Sequence, residues 1–202
     1  MIYHMFATLA GFLMDLLFGD PYWLPHPIRL IGSFIAFLER KLIGEKGGEK
    51  HATPEQEKRR GRLLVVTVVG TTVLITLVIL FFAYRINVIA GVFAESIMTY
   101  QILATKCLKV ESMKVYKELK KGNILSARKA VSMIVGRDTE KLDETGVAKA
   151  AVETVAENTS DGVSAPMLST AIGGPALGFF YKAVNTMDSM VGYKNDRYLY
   201  FG

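Results

Sequence analysis

The sequence has little of several things. A single cysteine, Cys107, rules out an intrachain disulfide framework. With no histidine near it in sequence, it reads as a small hydrophobe at a helix end. No GxxxxGK[ST] occurs, so a P-loop is absent. Lys and Arg do not precede the first apolar run and no small-residue cleavage site follows it, which argues against a secretory signal peptide. Basic residues are not segregated from acidic ones, which disfavours nucleic acid as partner despite a net charge of +5. No internal repeat is visible.

What the chain does have is hydrophobic length. Of its 202 residues, half are hydrophobic. Mean hydropathy is +0.27, high for a soluble domain and low for a chain of membrane spans alone. Residues 2–18 are apolar apart from His4 and Asp15 and read as a first membrane helix with its N-terminus outside. Asp15 should face protein or water there. Residues 63–83 carry no charge. At about 1.5 Å per residue they match a hydrocarbon core of about 30 Å. Residues 88–108 read as the return helix after a turn at 85–87; within it, Glu95 should bond a partner helix or line a polar path. Lys and Arg flank the hairpin before Leu63 and after Thr105, while the tip has only Arg85. The positive-inside rule puts the tip outside and both flanks in the cytoplasm. Residues 44–62 read as a polar cytoplasmic loop containing a solvated His51, and 28–42 as an interfacial amphipathic helix. Trp23 and Tyr22 suit the headgroup boundary. Between them and that helix, Pro25 and Pro27 stiffen a loop that is either an interfacial anchor or a rigid mount for Asp20, His26 and Arg29.

Residues 106–121 read as a charged helix, 126–135 as a short one capped by Gly136, and 146–158 as one capped by Thr145. From there the polar residues crowd. Lys149, Glu153 and Glu157 form a ladder at i, i+4 and i+8. Lys149 could pair with Glu153 on a wet face, or Glu157, Asn158 and Asp161 could offer hard oxygen ligands to Mg²⁺. Asn158 to Gly162 reads as a turn. The uncharged run 163–184 contains Gly173-Gly174-Pro175, which should break it into two half-helices, re-entrant or buried in a hairpin. Asn185 and Asp188 follow on a polar stripe with Lys182. Arg137, Lys182, Lys194 and Arg197 are candidate partners for phosphate or carboxylate. The expected architecture is an all-α polytopic membrane bundle, in one domain, with amphipathic cytoplasmic helices. Residues 122–202 form its cytoplasmic-side motif region, around a possible membrane segment at 163–184.

GDPYWLPHPIRLIG, SMIVGRDT, VETVAENTSDGVSAP, IGGPALGFFYKAVNTMDSMVGYKNDRY and the final FG together make the chain resemble the membrane-bound adenosylcobinamide-phosphate synthases of cobalamin (vitamin B12) biosynthesis. The resemblance runs almost the whole length, and motifs this long are highly specific. It implies an inner-membrane enzyme that uses ATP and Mg²⁺ to join adenosylcobyric acid to aminopropanol or its O-phosphate. Residue types then suggest Glu157, Asn158, Asp161 and Asp188 for metal, and His26 or Glu153 as base. Arg29, Arg137, Lys182, Lys194 and Arg197 would hold phosphate or carboxylate, with Lys182 also a candidate catalytic group and Asp20, Asn185 and Asn195 contacting substrate. Family members run about half as long again, so a C-terminal third is expected to be missing or supplied separately. The site would then be one wall of a larger pocket. Other corrinoid-pathway enzymes are possible partners alongside the bilayer. The competing class is a corrinoid transporter or scaffold, for which intramembrane carboxylates and a broken helix also speak.

Overall fold

The computed structural model describes residues 2–21, 23–44 and 52–202. Tyr22, His51 and residues 45–50 of the polar loop expected over 44–62 lie outside the described residues. Among the described residues there is no strand. The helices are α1 (Ile2–Phe18), α2 (Pro27–Ile43), α3 (Pro54–Ile86), α4 (Val88–Ile102), α5 (Thr105–Lys120), α6 (Ile124–Ser132), α7 (Glu144–Thr159) and α8 (Ala165–Val191). A π-helical turn, Ser160–Ser164, joins α7 to α8.

The helix α3 starts earlier than the charge pattern predicts, so residues 54–62 are helical rather than loop. Thr53 and Gln56 form a reciprocal capping box, Pro54 takes the first turn, and Glu55 and Glu57 sit where the helix dipole favours acids. Its 33 residues span about 50 Å, well beyond a hydrocarbon core of about 30 Å. The stretches Pro54–Ile86, Val88–Lys120 and Glu144–Val191 are each long and apolar enough to cross a membrane, and α1 is a shorter apolar helix. Large side chains such as Phe6, Leu13, Leu74, Phe81 and Phe82 point outward, an apolar surface suited to lipid.

Two cores organise the chain. Ile31 and Ile35 of α2, Leu64 and Val68 of α3, Ile102 of α4, and Phe179, Ala183 and Met187 of α8 pack in one, closed by Tyr198 and Phe201. Val115, Ala127, Val131, Val147 and Ala150 form the second, tying α5, α6 and α7 into a small three-helix unit. Helix α1 lies close on α4. A Cβ at Gly11 would stand 2.5 Å from Thr99 Cβ and 2.7 Å from the Ser96 carbonyl oxygen. Gly11→Val therefore forces the pair apart, with an expected loss of about 1–3 kcal/mol. Thermal unfolding in detergent measures it, and an unchanged midpoint would refute this packing.

Several boundaries differ from the sequence expectation. The return helix breaks at Leu103–Ala104, where the Ala104 N–H leaves the ladder and donates to the Gly162 carbonyl at 3.0 Å. Asp143, not Thr145, caps α7, accepting from Gly146 N–H at 2.7 Å. Helix α6 ends at Ser132, with Met133 rather than Gly136 at its C-cap. Asn158 to Gly162 is no turn: the chain continues through the π-helical segment into α8. The expected break in α8 is present, with Gly173 at φ −128° and Gly174 at φ 65°. The latter is a left-handed conformation that glycine tolerates.

Candidate functional site

Four interruptions of the helical ladder, at Gly19, Leu103–Ala104, the π-turn and Gly173–Gly174, coincide with gathered polar groups. Three of them meet around the N-terminus of α5. Gly19 (φ +63°) ends α1. The Tyr100 hydroxyl donates to its carbonyl, and Lys106 Nζ donates to that of Leu17. Asp15, fully buried, accepts the Thr105 N–H at 2.8 Å through Oδ2 and so caps α5. Among the described residues its Oδ1 has no hydrogen-bond partner.

A cleft opens above this floor in two lobes that share Ala104, Cys107, Glu111 and Lys182. The larger lobe, about 590 Å³, is lined by Asp20, His26, Arg29, Lys106 and Lys114. The smaller, about 320 Å³, is lined by Asn158, Asp161 and Asn185. His26 is the N-cap of α2, its Nδ1 accepting from Ile28 N–H at 3.3 Å. With Nδ1 accepting, Nε2 carries the proton and donates to Asp20 Oδ1 at 3.2 Å. His26 thus aims Asp20 into the lobe and keeps no lone pair for a substrate proton.

Lys182 sits where the lobes meet, only 8% exposed. Its Nζ is 3.5 Å from the carbonyl of Asp161, a carbonyl within the π-turn. Extra residues in such a turn leave backbone groups seeking outside partners, and these segments recur at functional sites. Asp15, Asp20 and Asp161 all lie within Coulombic reach of Lys182. The Asp161 carboxylate accepts from Tyr181 OH at 3.4 Å and from Asn185 Nδ2 at 3.3 Å. Both contacts are long, leaving it capacity for a further ligand.

Other sequence candidates stand elsewhere. Glu153 is exposed on α7, 2.8 Å from Arg137 and 3.9 Å from Lys149. That satisfies the wet-face reading and leaves neither Glu153 nor Arg137 in the cleft. Glu157 and Asp188 are exposed and outside it, so the four proposed metal ligands are not gathered together. Among the described residues no group of three or more His, Cys, Asp or Glu side chains could hold a metal by itself. Lys194 is exposed. Asn195 Oδ1 accepts from the N–H groups of Arg197 and Tyr198, each at 3.1 Å.

Arg197 is a clasp. It donates to Glu39 Oε1 at 2.9 Å and to the Gly44 carbonyl at 2.8 Å, tying the segment after α8 to α2. Burial opposes its charge, but its hydrogen bonds to Glu39 and Tyr198 outweigh that and hold its pKa above the ordinary value. Burial, then the hydrogen bond to Glu39, pushes the Tyr198 phenol up. The cleft residues that sequence reasoning missed are Lys106, Glu111 and Lys114. No local signal marks them, since the break at Ala104 that sets α5 beside Asp20 is made by tertiary contacts.

Residues 8–202 match the family model described as CobD/Cbib protein. Proteins named cobalamin biosynthesis protein CobD are similar to the chain. That of Halalkalibacterium halodurans is 41% identical over 199 residues, 98% of this chain and 60% of the relative. Those of Clostridium perfringens and Geobacter metallireducens are each 46% identical, over 98% and 97% of the chain and 61% and 59% of the relative. The chain therefore spans about 60% of the length of these curated relatives. No solved structure matches it.

Proposed function

The chain belongs to the CobD/Cbib protein family, and from that premise we propose that it is a membrane-bound amide-forming ligase of cobalamin biosynthesis. The reaction joins the propionate carboxylate of adenosylcobyric acid to the amine of aminopropanol or its O-phosphate, with ATP as co-substrate. The observation that carries this reading is the buried ammonium of Lys182 standing between a carboxylate–amide pair, Asp161 and Asn185, and a carboxylate–imidazole pair, Asp20 and His26. The positive-inside rule turns the cleft toward the cytoplasm, and the long apolar helices support a place in the cell membrane.

The donor set fits Mg²⁺ as nucleotide enzymes use it, with one or two protein oxygens and the rest from water and phosphate. Asp161, with Asn158 Oδ1 beside it (Asn158 Nδ2 is committed to the Thr154 carbonyl), would hold it. When bound, it neutralises charge on the phosphates. Lys182 stabilises the charge that builds as the substrate carboxylate attacks the γ-phosphorus of ATP and ADP departs. Arg29, Lys106 and Lys114 attract the anionic groups that enter the larger lobe. Asp20, fixed by His26, receives the ammonium of the amine and takes one proton from it, and the freed nitrogen lone pair then attacks the acyl carbon. Phosphate leaves with the second N–H proton, and the amide remains.

The test is amide product from purified protein in detergent, given ATP, Mg²⁺ and both substrates. Asp161→Ala is expected to lower turnover about 10²-fold, while Glu157→Ala stays within about twofold, since surface changes are usually mild. Normal turnover by Asp161→Ala would sink the assignment. The broken α8 and the buried Glu95 favour a second reading, corrinoid transport. Corrinoid flux into proteoliposomes with no new amide would select it.

A further inference from the structure

Pro175 has no N–H, so the carbonyl of Ala171, four residues earlier, lacks the donor that an intact helix would give it. Helix α1 supplies one instead: His4 Nε2 lies 3.0 Å from the Ala171 oxygen. A carbonyl only accepts, so Nε2 carries a proton. The other ring nitrogen, Nδ1, is hydrogen-bonded to Glu95 Oε1 of α4. Glu95 Oε2 accepts from the Tyr84 hydroxyl of α3 at 2.6 Å. Gly174 closes over the cluster: a Cβ there would stand 3.5 Å from Glu95 Oε1 and 3.7 Å from His4 Cε1.

Counting protons decides what this cluster is. A bare Nδ1 and a carboxylate oxygen are both acceptors and repel. With Nε2 already donating, their contact requires one proton more, held on the imidazole as an ion pair or on the carboxyl. We propose that His4 and Glu95 share one proton, and that this proton latches the break in α8 to α1 and α4. Every packed element is accounted for. Helix α1 brings His4, α4 Glu95 and α3 Tyr84. Residues 165–180 of α8 contain no titratable side chain. The chain's amino terminus is the further charge in reach of His4. The proton is bound at low pH. Its loss as pH rises leaves one ring nitrogen a bare acceptor facing either the Glu95 carboxylate or the Ala171 carbonyl, and the latch opens.

The latch is separate from the cleft. His4 and Asp15 lie about 17 Å apart along α1. The break nonetheless sets the direction of the half of α8 that carries Lys182 and Asn185, so the proton state at one end of α1 bears on the cleft at the other.

The experiment uses the whole chain in lipid nanodiscs. Hydrogen exchange is followed over residues 166–180 across pH and corrected for the intrinsic rate. Wild-type protection is expected to hold at low pH and to fall by about tenfold or more as pH rises. Glu95→Gln donates an amide hydrogen to neutral Nδ1 and still accepts from Tyr84, so it should stay protected over the same range. Identical pH profiles for wild type and Glu95→Gln would overturn the proposal. Should that variant fold poorly, imidazole ¹⁵N NMR of wild-type His4, assigned by its loss in His4→Gln, decides. A protonated Nε2, with Nδ1 protonated or hydrogen-bonded, supports the latch; an unprotonated Nε2 contradicts it.

Discussion

Lys182→Met is expected to lower amide formation by about 10²–10³-fold while the protein remains folded. Methionine keeps the length and the apolar stem of lysine, so the packing of α8 against the first core survives. What disappears is the ammonium in the cleft. Lys182 is 8% exposed, so little water shields its field, and a charge in such a place acts on a developing phosphoryl charge far more strongly than a surface lysine. The loss should fall on kcat more than on KM, because the ammonium matters most as charge builds. Lys182→Arg should recover part of the rate, since charge returns but the planar head fits the junction of the lobes less well. Single-turnover assays in detergent measure this. A Lys182→Met enzyme within about threefold of wild type would remove Lys182 from the mechanism.

Glu39→Ala is expected to be the most damaging single change to stability outside the apolar core, by about 2–3 kcal/mol. One oxygen, Glu39 Oε1, accepts from both Arg197 Nε at 2.9 Å and Tyr198 OH at 2.8 Å. Its removal strands a guanidinium and a phenol at the seam between α2 and the segment after α8. The Arg197 side chain keeps 20% exposure, which allows some rehydration and holds the estimate below that for a fully buried pair. Unfolding midpoints in detergent provide the measure. The double variant Glu39→Leu with Arg197→Met should lose less than the two single changes added together, because no charge is then left behind. Simple additivity would show that the clasp carries no coupling.

These two sites differ in how plainly the sequence announced them. Helix α1, with the bounds 2–18, was legible because a run apolar apart from His4 and Asp15 ends in Gly-Asp-Pro. The break in α8 was legible because Gly-Gly-Pro cannot continue a helix. Glu95 was expected to bond a partner helix, and it bonds two, through His4 and Tyr84. The kink at Leu103–Ala104 was not legible, since neither residue breaks a helix. It exists because the π-turn offers the Gly162 carbonyl and α1 offers the Asp15 carboxylate to N–H groups that leave the ladder. The π-turn itself carries Asn-Thr-Ser-Asp-Gly, a turn-like composition, and tertiary contacts overrode it. Glu39 and Arg197 are 158 residues apart, so no local pattern links them. The same holds for the arrival of Lys106 and Lys114 beside Asp20. Local composition found Asp20, His26 and Arg29 of the larger lobe and Asn158, Asp161, Lys182 and Asn185 around the smaller one, and only the packing of α5 supplied the rest.

The most direct test of the central claim uses adenosylcobyric acid labelled with ¹⁸O in its free carboxylate, incubated with the purified protein, ATP, Mg²⁺ and aminopropanol phosphate. Ligation through an acyl phosphate places one ¹⁸O in the inorganic phosphate released and leaves one in the new amide. Mass spectrometry showing both labels is the result this account predicts. Corrinoid recovered at unchanged mass, with no ¹⁸O in phosphate, would contradict it.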